Sequence, residues 1–137
     1  PPALSTENRC IIMLHGLGRS ANSLWIAEQF FTARDYEVHR LAYPSTKKDL
    51  GQLGEQISKE AQGLCSTTPN FLTYSMGGII LRVIKSMHPD FAVARVVRQI
   101  MDQKLLINGG LETVRASEWT RGGASWSRWD SQGTSQR

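Results

Sequence analysis

Ser75 stands where a short apolar run meets an apolar helical pattern, in the segment Asn70-Phe71-Leu72-Thr73-Tyr74-Ser75-Met76-Gly77-Gly78. A serine followed by small residues at such a junction is typical of a nucleophile elbow, the sharp strand-to-helix turn that lifts a serine hydroxyl out of a parallel sheet. Glycines suit this turn because it is strained and because strand and helix nearly touch there. The segment therefore marks Ser75 as a candidate nucleophile.

A glycine-rich turn, Gly16-Leu17-Gly18-Arg19-Ser20-Ala21, follows the first apolar run of the chain. It fits the pattern G-x-G-x-x-A directly after a strand and at the start of a helix, which is the setting of a dinucleotide-binding fingerprint. The next strand ends in Leu41-Ala42-Tyr43-Pro44, however, and offers no carboxylate to bind a ribose. Dinucleotide binding through Gly16-Leu17-Gly18 is therefore an alternative, and it leaves the serine turn unexplained.

The elements that must position these motifs alternate regularly. Apolar runs predict strands at about 9–15, 37–43, 70–74 and 92–100, and helical periodicity predicts helices at about 21–34, 50–64 and 77–87. Connections of that length imply parallel strands with helices on both faces of the sheet. The predicted fold is a three-layer α/β protein with a mostly parallel sheet of about four strands and three helices.

The last part of the chain has a different composition. Residues 101–137 contain three of the four tryptophans and many Gly, Ser and Arg residues, without a lasting period of 2 or 3.6. We therefore divide the chain into an N-terminal extension (1–8), a partial α/β domain (9–100) and an irregular or divergent tail (101–137). The composition favours a surface extension or a partly disordered tail. The sharper alternative is that the proper continuation of the fold has been lost by truncation, alternative splicing or a change of reading frame, which would leave the fourth strand with an apolar edge.

Composition and charge exclude several classes of protein. The hydrophobic content of 40% and the charged content of 20% are ordinary for a globular domain. The net charge of +4 lies mainly in residues 95–137, with 7 Lys+Arg against 4 Asp+Glu, so we expect no nucleic-acid partner. No apolar run is long enough for a membrane span and no secretory signal is visible, and a cytoplasmic location is the default expectation. Cys10 and Cys65 indicate neither a disulfide framework nor a metal site, and no cofactor is implied.

Taken together, the motifs over residues 9–97 resemble the α/β-hydrolase superfamily, and within it the lipase/esterase-like serine hydrolases. The resemblance rests on Leu14-His15-Gly16-Leu17-Gly18, on Leu41-Ala42-Tyr43-Pro44-Ser45 and on Thr73-Tyr74-Ser75-Met76-Gly77-Gly78. It implies that Ser75 is the nucleophile and that the backbone N–H groups of Leu17 and Met76 form the oxyanion hole. The supporting residues it implies are His15, Gly16, Gly77 and Gly78, and the substrate would be a small acyl ester or a lipid.

The chain departs from this family in two places. Thr73 stands where G-x-S-x-G has its first glycine, which adds bulk at the elbow. The family's acid and base follow the serine at the ends of later strands. After Ser75 the chain offers only His88, at the far end of the next helix, whereas His39 precedes the serine. Asp90, Asp102 and Asp130 are candidate acids only if a base exists.

The resulting expectation is carboxylic ester hydrolysis through an acyl-enzyme at Ser75, impaired because no triad acid and base are evident. A catalytically inactive, truncated hydrolase fragment or interaction protein is the alternative that the missing groups favour. Acyl and alcohol specificity and the oligomeric state are left open by the sequence.

Overall fold

Six strands and four helices make up the computed structural model, which describes residues 9–16, 24–99, 111–121 and 126–128. The elements in chain order are β1 (Cys10–Leu14), α1 (Trp25–Thr32), β2 (Glu37–Leu41), α2 (Leu50–Ala61), β3 (Asn70–Thr73), α3 (Met76–Met87), β4 (Arg95–Gln99), β5 (Leu111–Arg115), α4 (Ala116–Arg121) and β6 (Ser127–Arg128).

All six strands form one sheet in the order β2-β1-β3-β4-β5-β6. The pairings among the first four strands are parallel, whereas β5 and β6 are added in antiparallel orientation. Because side chains alternate along a strand, Ile12 and Leu14 of β1 enter the core beneath α2 and α3, and Ile11 and Met13 enter the core beneath α1. The predicted three-layer α/β fold with a mostly parallel sheet is confirmed.

Helix α2 shows how the sequence dictates one of these layers. Leu53, Ile57 and Ala61 recur at a spacing of four and are buried against the sheet. Asp49 starts the helix with a reciprocal capping box, in which its carboxylate accepts from the Gln52 N–H at 2.8 Å and the Gln52 side chain accepts from the Asp49 N–H at 3.0 Å. The helix packs on α3, which carries Ser75 at its start.

The tail departs from its predicted irregular character over residues 111–121. Strand β5 pairs with β4 over five residues, so that the expected apolar edge of β4 is covered. The Arg98 guanidinium bonds to the Glu112 carboxylate at 2.6 and 2.8 Å across this pair, and Trp119 of α4 is only 3% exposed. The free energy gained by burying the apolar side chains of β5 and α4 stabilises this structure, although the local sequence pattern for it is weak. The predicted tail residues 101–110, 122–125 and 129–137 lie outside the described residues.

Among the helices in the described part of the chain, none has both the length and the apolar character that crossing a bilayer requires.

Candidate functional site at the serine turn

Ser75 occupies the turn between β3 and α3 in an unusual backbone conformation. Its φ is 55° and its ψ is −118°, a region that side-chain-bearing residues rarely adopt. The residue is exposed, and its side chain does not cap α3. The turn closes through two hydrogen bonds of 3.1 Å, from the Gly77 N–H to the Tyr74 carbonyl and from the Gly78 N–H to the Ser75 carbonyl. The backbone therefore presents the serine hydroxyl on the outside of a tight turn.

Two glycines make this turn possible by allowing close contact between backbones. A Cβ at Gly77 would lie 2.6 Å from the carbonyl oxygen of Leu14, well inside any real contact. The same oxygen accepts from the Tyr74 N–H at 3.2 Å, so β1 holds the end of β3 and the start of α3 together. A Cβ at Gly16 would lie 3.2 Å from the Cβ of Ser75, which places Gly16, just after β1, beside the serine.

The threonine that departs from the G-x-S-x-G pattern is accommodated without crowding. Thr73 is buried at the end of β3. The position facing it is Gly78, where even an added Cβ would be 3.5 Å from the threonine hydroxyl, an ordinary contact. Gly78 has no side chain and therefore leaves room for the side chain of Thr73, which stands where the G-x-S-x-G pattern has a glycine.

His15, just after β1, is held by Tyr43. The two rings stack with centroids 3.9 Å apart and planes 11° apart, and the Tyr43 hydroxyl donates to the His15 carbonyl. His15 Nδ1 donates to the Gly16 carbonyl at 2.9 Å, while the buried Nε2 has no hydrogen-bond partner among the described residues. Burial raises the pKa of Tyr43 above its ordinary value. The sequence placed Tyr43 only at the exit of the second strand and did not reveal this contact.

The remaining predicted site residues are only partly brought together. Met76 is the first residue of α3, so its N–H has no acceptor within the helix. Leu17, the other predicted oxyanion donor, lies outside the described residues, as do Asp102 and Asp130. Asp90 is exposed in the turn after α3.

The histidines other than His15 are paired elsewhere. His88 follows the end of α3 and bonds to the Glu55 carboxylate at 2.7 Å, about 20 Å along the helix from Ser75. His39 lies within β2 and bonds to the Glu37 carboxylate at 2.6 Å. Within the described ranges, neither histidine is placed to take the Ser75 proton.

One sequence expectation is corrected. Cys10 and Cys65, which were expected to indicate no disulfide framework, form a disulfide with Cα atoms 5.9 Å apart. Cys10 begins β1, and Cys65 lies shortly before the neighbouring strand β3, so the parallel pairing brings the starts of both segments together. The sequence signal that could have revealed it is the position of each cysteine ahead of or at the start of an apolar strand.

A scan against models of protein families and a search of curated proteins each found no match. Two solved structures of the lipase BlEst2 from Bacillus licheniformis are similar, both with a TM-score of 0.57 and 21% sequence identity. In both cases the matched region covers 69% of this chain. It covers 41% of the chain of the mature lipase and 22% of the chain of the propeptide form. This chain thus spans less than half the length of the mature lipase. At this identity the likeness concerns the fold, and the chain has a lipase-like α/β fold that is consistent with part of an α/β-hydrolase.

Proposed function

We propose that Ser75 is the nucleophile of a serine-hydrolase-type site for acyl esters, and that this chain supplies the nucleophile and oxyanion side of that site. The observation that carries the proposal is the positive φ of an exposed serine at a strand-to-helix turn. Such a conformation costs on the order of 1–3 kcal/mol and concentrates at functional sites. Gly77 against Leu14 and Gly16 beside Ser75 maintain it.

The chemistry that these residues support is acyl transfer. The Ser75 Oγ would attack the ester carbonyl, the alcohol would leave, and water would hydrolyse the resulting acyl-enzyme. The negative charge on the tetrahedral oxygen would be stabilised by the Met76 N–H, at the positive end of the α3 dipole, and by the Leu17 N–H. His15, packed on Tyr43, would hold the turn that carries Leu17. No metal or organic cofactor takes part in this scheme.

The expected rate is low because a base beside Ser75 is not found among the described residues. His39 and His88 are bound to Glu37 and Glu55, and His15 is buried under Tyr43. Loss of the triad groups in a serine hydrolase lowers turnover by a factor on the order of 10⁶. The oxyanion hole and substrate binding alone still accelerate the reaction by roughly 10³ over the reaction in water. We therefore propose a weak esterase, with an inactive hydrolase-like chain as the alternative outcome of the test.

The test is labelling of the purified, folded chain with a fluorophosphonate, which phosphonylates activated serines. We expect slow labelling of the wild-type chain, complete loss in Ser75→Ala, and unchanged labelling in Ser86→Ala. Ser86 is the matched control because it is an exposed serine on the same helix. Labelling that persists in Ser75→Ala would refute the role of Ser75. A folded wild-type chain that takes no label would show that the turn is architecture alone.

A further inference from the structure

Three potential metal ligands meet at the opposite end of the sheet from Ser75. The sulfur atoms of Cys10 and Cys65 and a ring nitrogen of His39 all lie within 4.8 Å of one another. Cys10 is buried, whereas Cys65 and His39 are partly exposed. Nothing in the ester chemistry proposed above uses these side chains.

The sheet register explains why they converge. Cys10 of β1 pairs with Glu37 of β2, and Ile12 pairs with His39. Side chains two residues apart share a face, so Cys10, Glu37 and His39 project to the side of the sheet that α2 covers. Cys65 follows α2 and packs at the border of the same core.

We propose that, in the reduced chain, Cys10, Cys65 and His39 form a Zn²⁺ site, and that the disulfide is the oxidised state in which this site is closed. Two thiolates and an imidazole are a preferred zinc ligand set. A tetrahedral site with Zn–S bonds of about 2.3 Å places its sulfur atoms about 3.8 Å apart. The two sulfurs, bonded to each other in the disulfide, would therefore move apart once the S–S bond is opened, while a ring nitrogen of His39 already lies within 4.8 Å of both. The fourth position is left to water.

Glu37 orients the ring of this histidine. Its carboxylate accepts a hydrogen bond from His39 Nε2 at 2.6 Å, which leaves Nδ1 as the ring nitrogen available to a metal. A carboxylate behind a ligating histidine is the usual outer partner in zinc sites. His39 is 27% exposed and Glu37 is 54% exposed, so both groups are within reach of solvent.

The disulfide is also accessible to a reductant. Cys65 lines a cleft of about 510 Å³ together with Asp90 and Phe91. A dithiol reductant transfers two electrons and two protons, its own thiols become a disulfide, and the Cys10–Cys65 bond breaks to give two thiols. Zn²⁺ then binds both sulfurs as thiolates, and the two thiol protons are released to solvent.

The experiment compares zinc binding by the full chain in its oxidised form and after reduction with a phosphine, followed by competition with a metal chelator. We expect one Zn²⁺ per reduced chain and no binding by the oxidised chain. Co²⁺ in place of zinc should give thiolate-to-metal absorption only in the reduced form. Glu37→Gln should weaken zinc binding on the order of tenfold, and His39→Ala should weaken it further. His88→Ala is the matched control, because His88 is also paired with a carboxylate but lies away from the sulfurs.

Several results would overturn the proposal. Tight binding by the oxidised chain would place the metal elsewhere, and unchanged binding in His39→Ala would remove the histidine from the site. A reduced chain that binds no zinc would also refute it, whether or not that chain stays folded, because zinc binding to a formed site would itself contribute folding free energy. These results are independent of labelling at Ser75.

Discussion

The carbonyl oxygen of Leu14 lies where a side chain at residue 77 would begin, since a Cβ built on Gly77 is only 2.6 Å from that oxygen. Both groups are backbone-bound, so neither can rotate away. Relief requires α3 to move off the sheet, and α3 is the helix that starts at Ser75. The position of the serine therefore depends on a contact that only glycine permits.

Gly77→Ala should lower the free energy of unfolding by about 1–3 kcal/mol, because the added methyl group overpacks the junction of β1 and α3. Gly51→Ala should instead raise the free energy of unfolding. Gly51 is in the first turn of α2, where an added Cβ meets only the Asp49 carboxylate at 3.4 Å, and alanine favours the helix by up to about 1 kcal/mol. Urea unfolding of both variants measures the difference, and equal effects would contradict the close contact at Gly77.

Ser75→Gly should stabilise the chain by about 1 kcal/mol, because glycine adopts a positive φ without steric cost. The variant should lose all fluorophosphonate labelling, so stability and reactivity would change in opposite directions. Ser86→Gly is the control in ordinary helical conformation, and it should destabilise the chain by about 0.5 kcal/mol. Chemical denaturation decides the issue, and a less stable Ser75→Gly chain would show that the serine turn carries no strain.

Tyr43→Phe should lower the free energy of unfolding by about 1–3 kcal/mol at neutral pH, because the buried carbonyl of His15 loses its donor. Fluorophosphonate labelling should also slow, because phenylalanine keeps the ring stack but no longer donates to the His15 carbonyl next to Gly16. Unfolding in urea at pH 7 measures the free energy of unfolding. A variant as stable as the wild type would mean that the hydroxyl does not matter to the fold.

The stability of the wild-type chain should also fall at alkaline pH through Tyr43. Burial raises the pKa of the folded phenol above its ordinary value of about 10. Above that pH the unfolded chain loses the phenol proton while the folded chain retains it, so unfolding becomes easier by about 1.4 kcal/mol per pH unit from this group. Tyr43→Phe should lack this component. Urea midpoints between pH 8 and pH 11 test it, and parallel curves for both chains would contradict it.

The sequence was a good guide where a pattern was local. The alternation of apolar runs with helical periodicity predicted β1 to β4 and α1 to α3, and the small residues around Ser75 predicted the turn that the structure forms there. These features depend on steric requirements within a few residues, which the residue types themselves express. The roles of Ser75, Leu17 and Met76 in catalysis stay predictions.

Other features depended on contacts between distant segments. The Cys10–Cys65 bond and the nearby His39 are brought together by the strand order, in which β1 lies between β2 and β3. The stretch 111–121 is too short and too polar to show a period, and its order comes from pairing with β4. Such tertiary contacts override weak local propensity, and the sequence pattern therefore predicts no strand or helix over residues 111–121.

Trp119 connects the described part of this tail to α3. The ring is 3% exposed, the Arg82 guanidinium of α3 lies 4.4 Å from its centre, and Arg82 also donates to the Trp119 carbonyl at 3.4 Å. Trp119→Ala should therefore destabilise the chain by about 3–5 kcal/mol, a large part of the stability of a small domain.

Trp25→Ala is the matched control, since Trp25 is 55% exposed and its removal should change the free energy of unfolding by no more than about 0.5 kcal/mol. Urea unfolding followed by circular dichroism avoids the loss of the tryptophan signal itself. A Trp119→Ala chain as stable as Trp25→Ala would mean that α4 does not belong to the cooperative core. A large loss would mean that α3, and with it the serine turn, is stabilised by residues that the composition of the tail did not suggest.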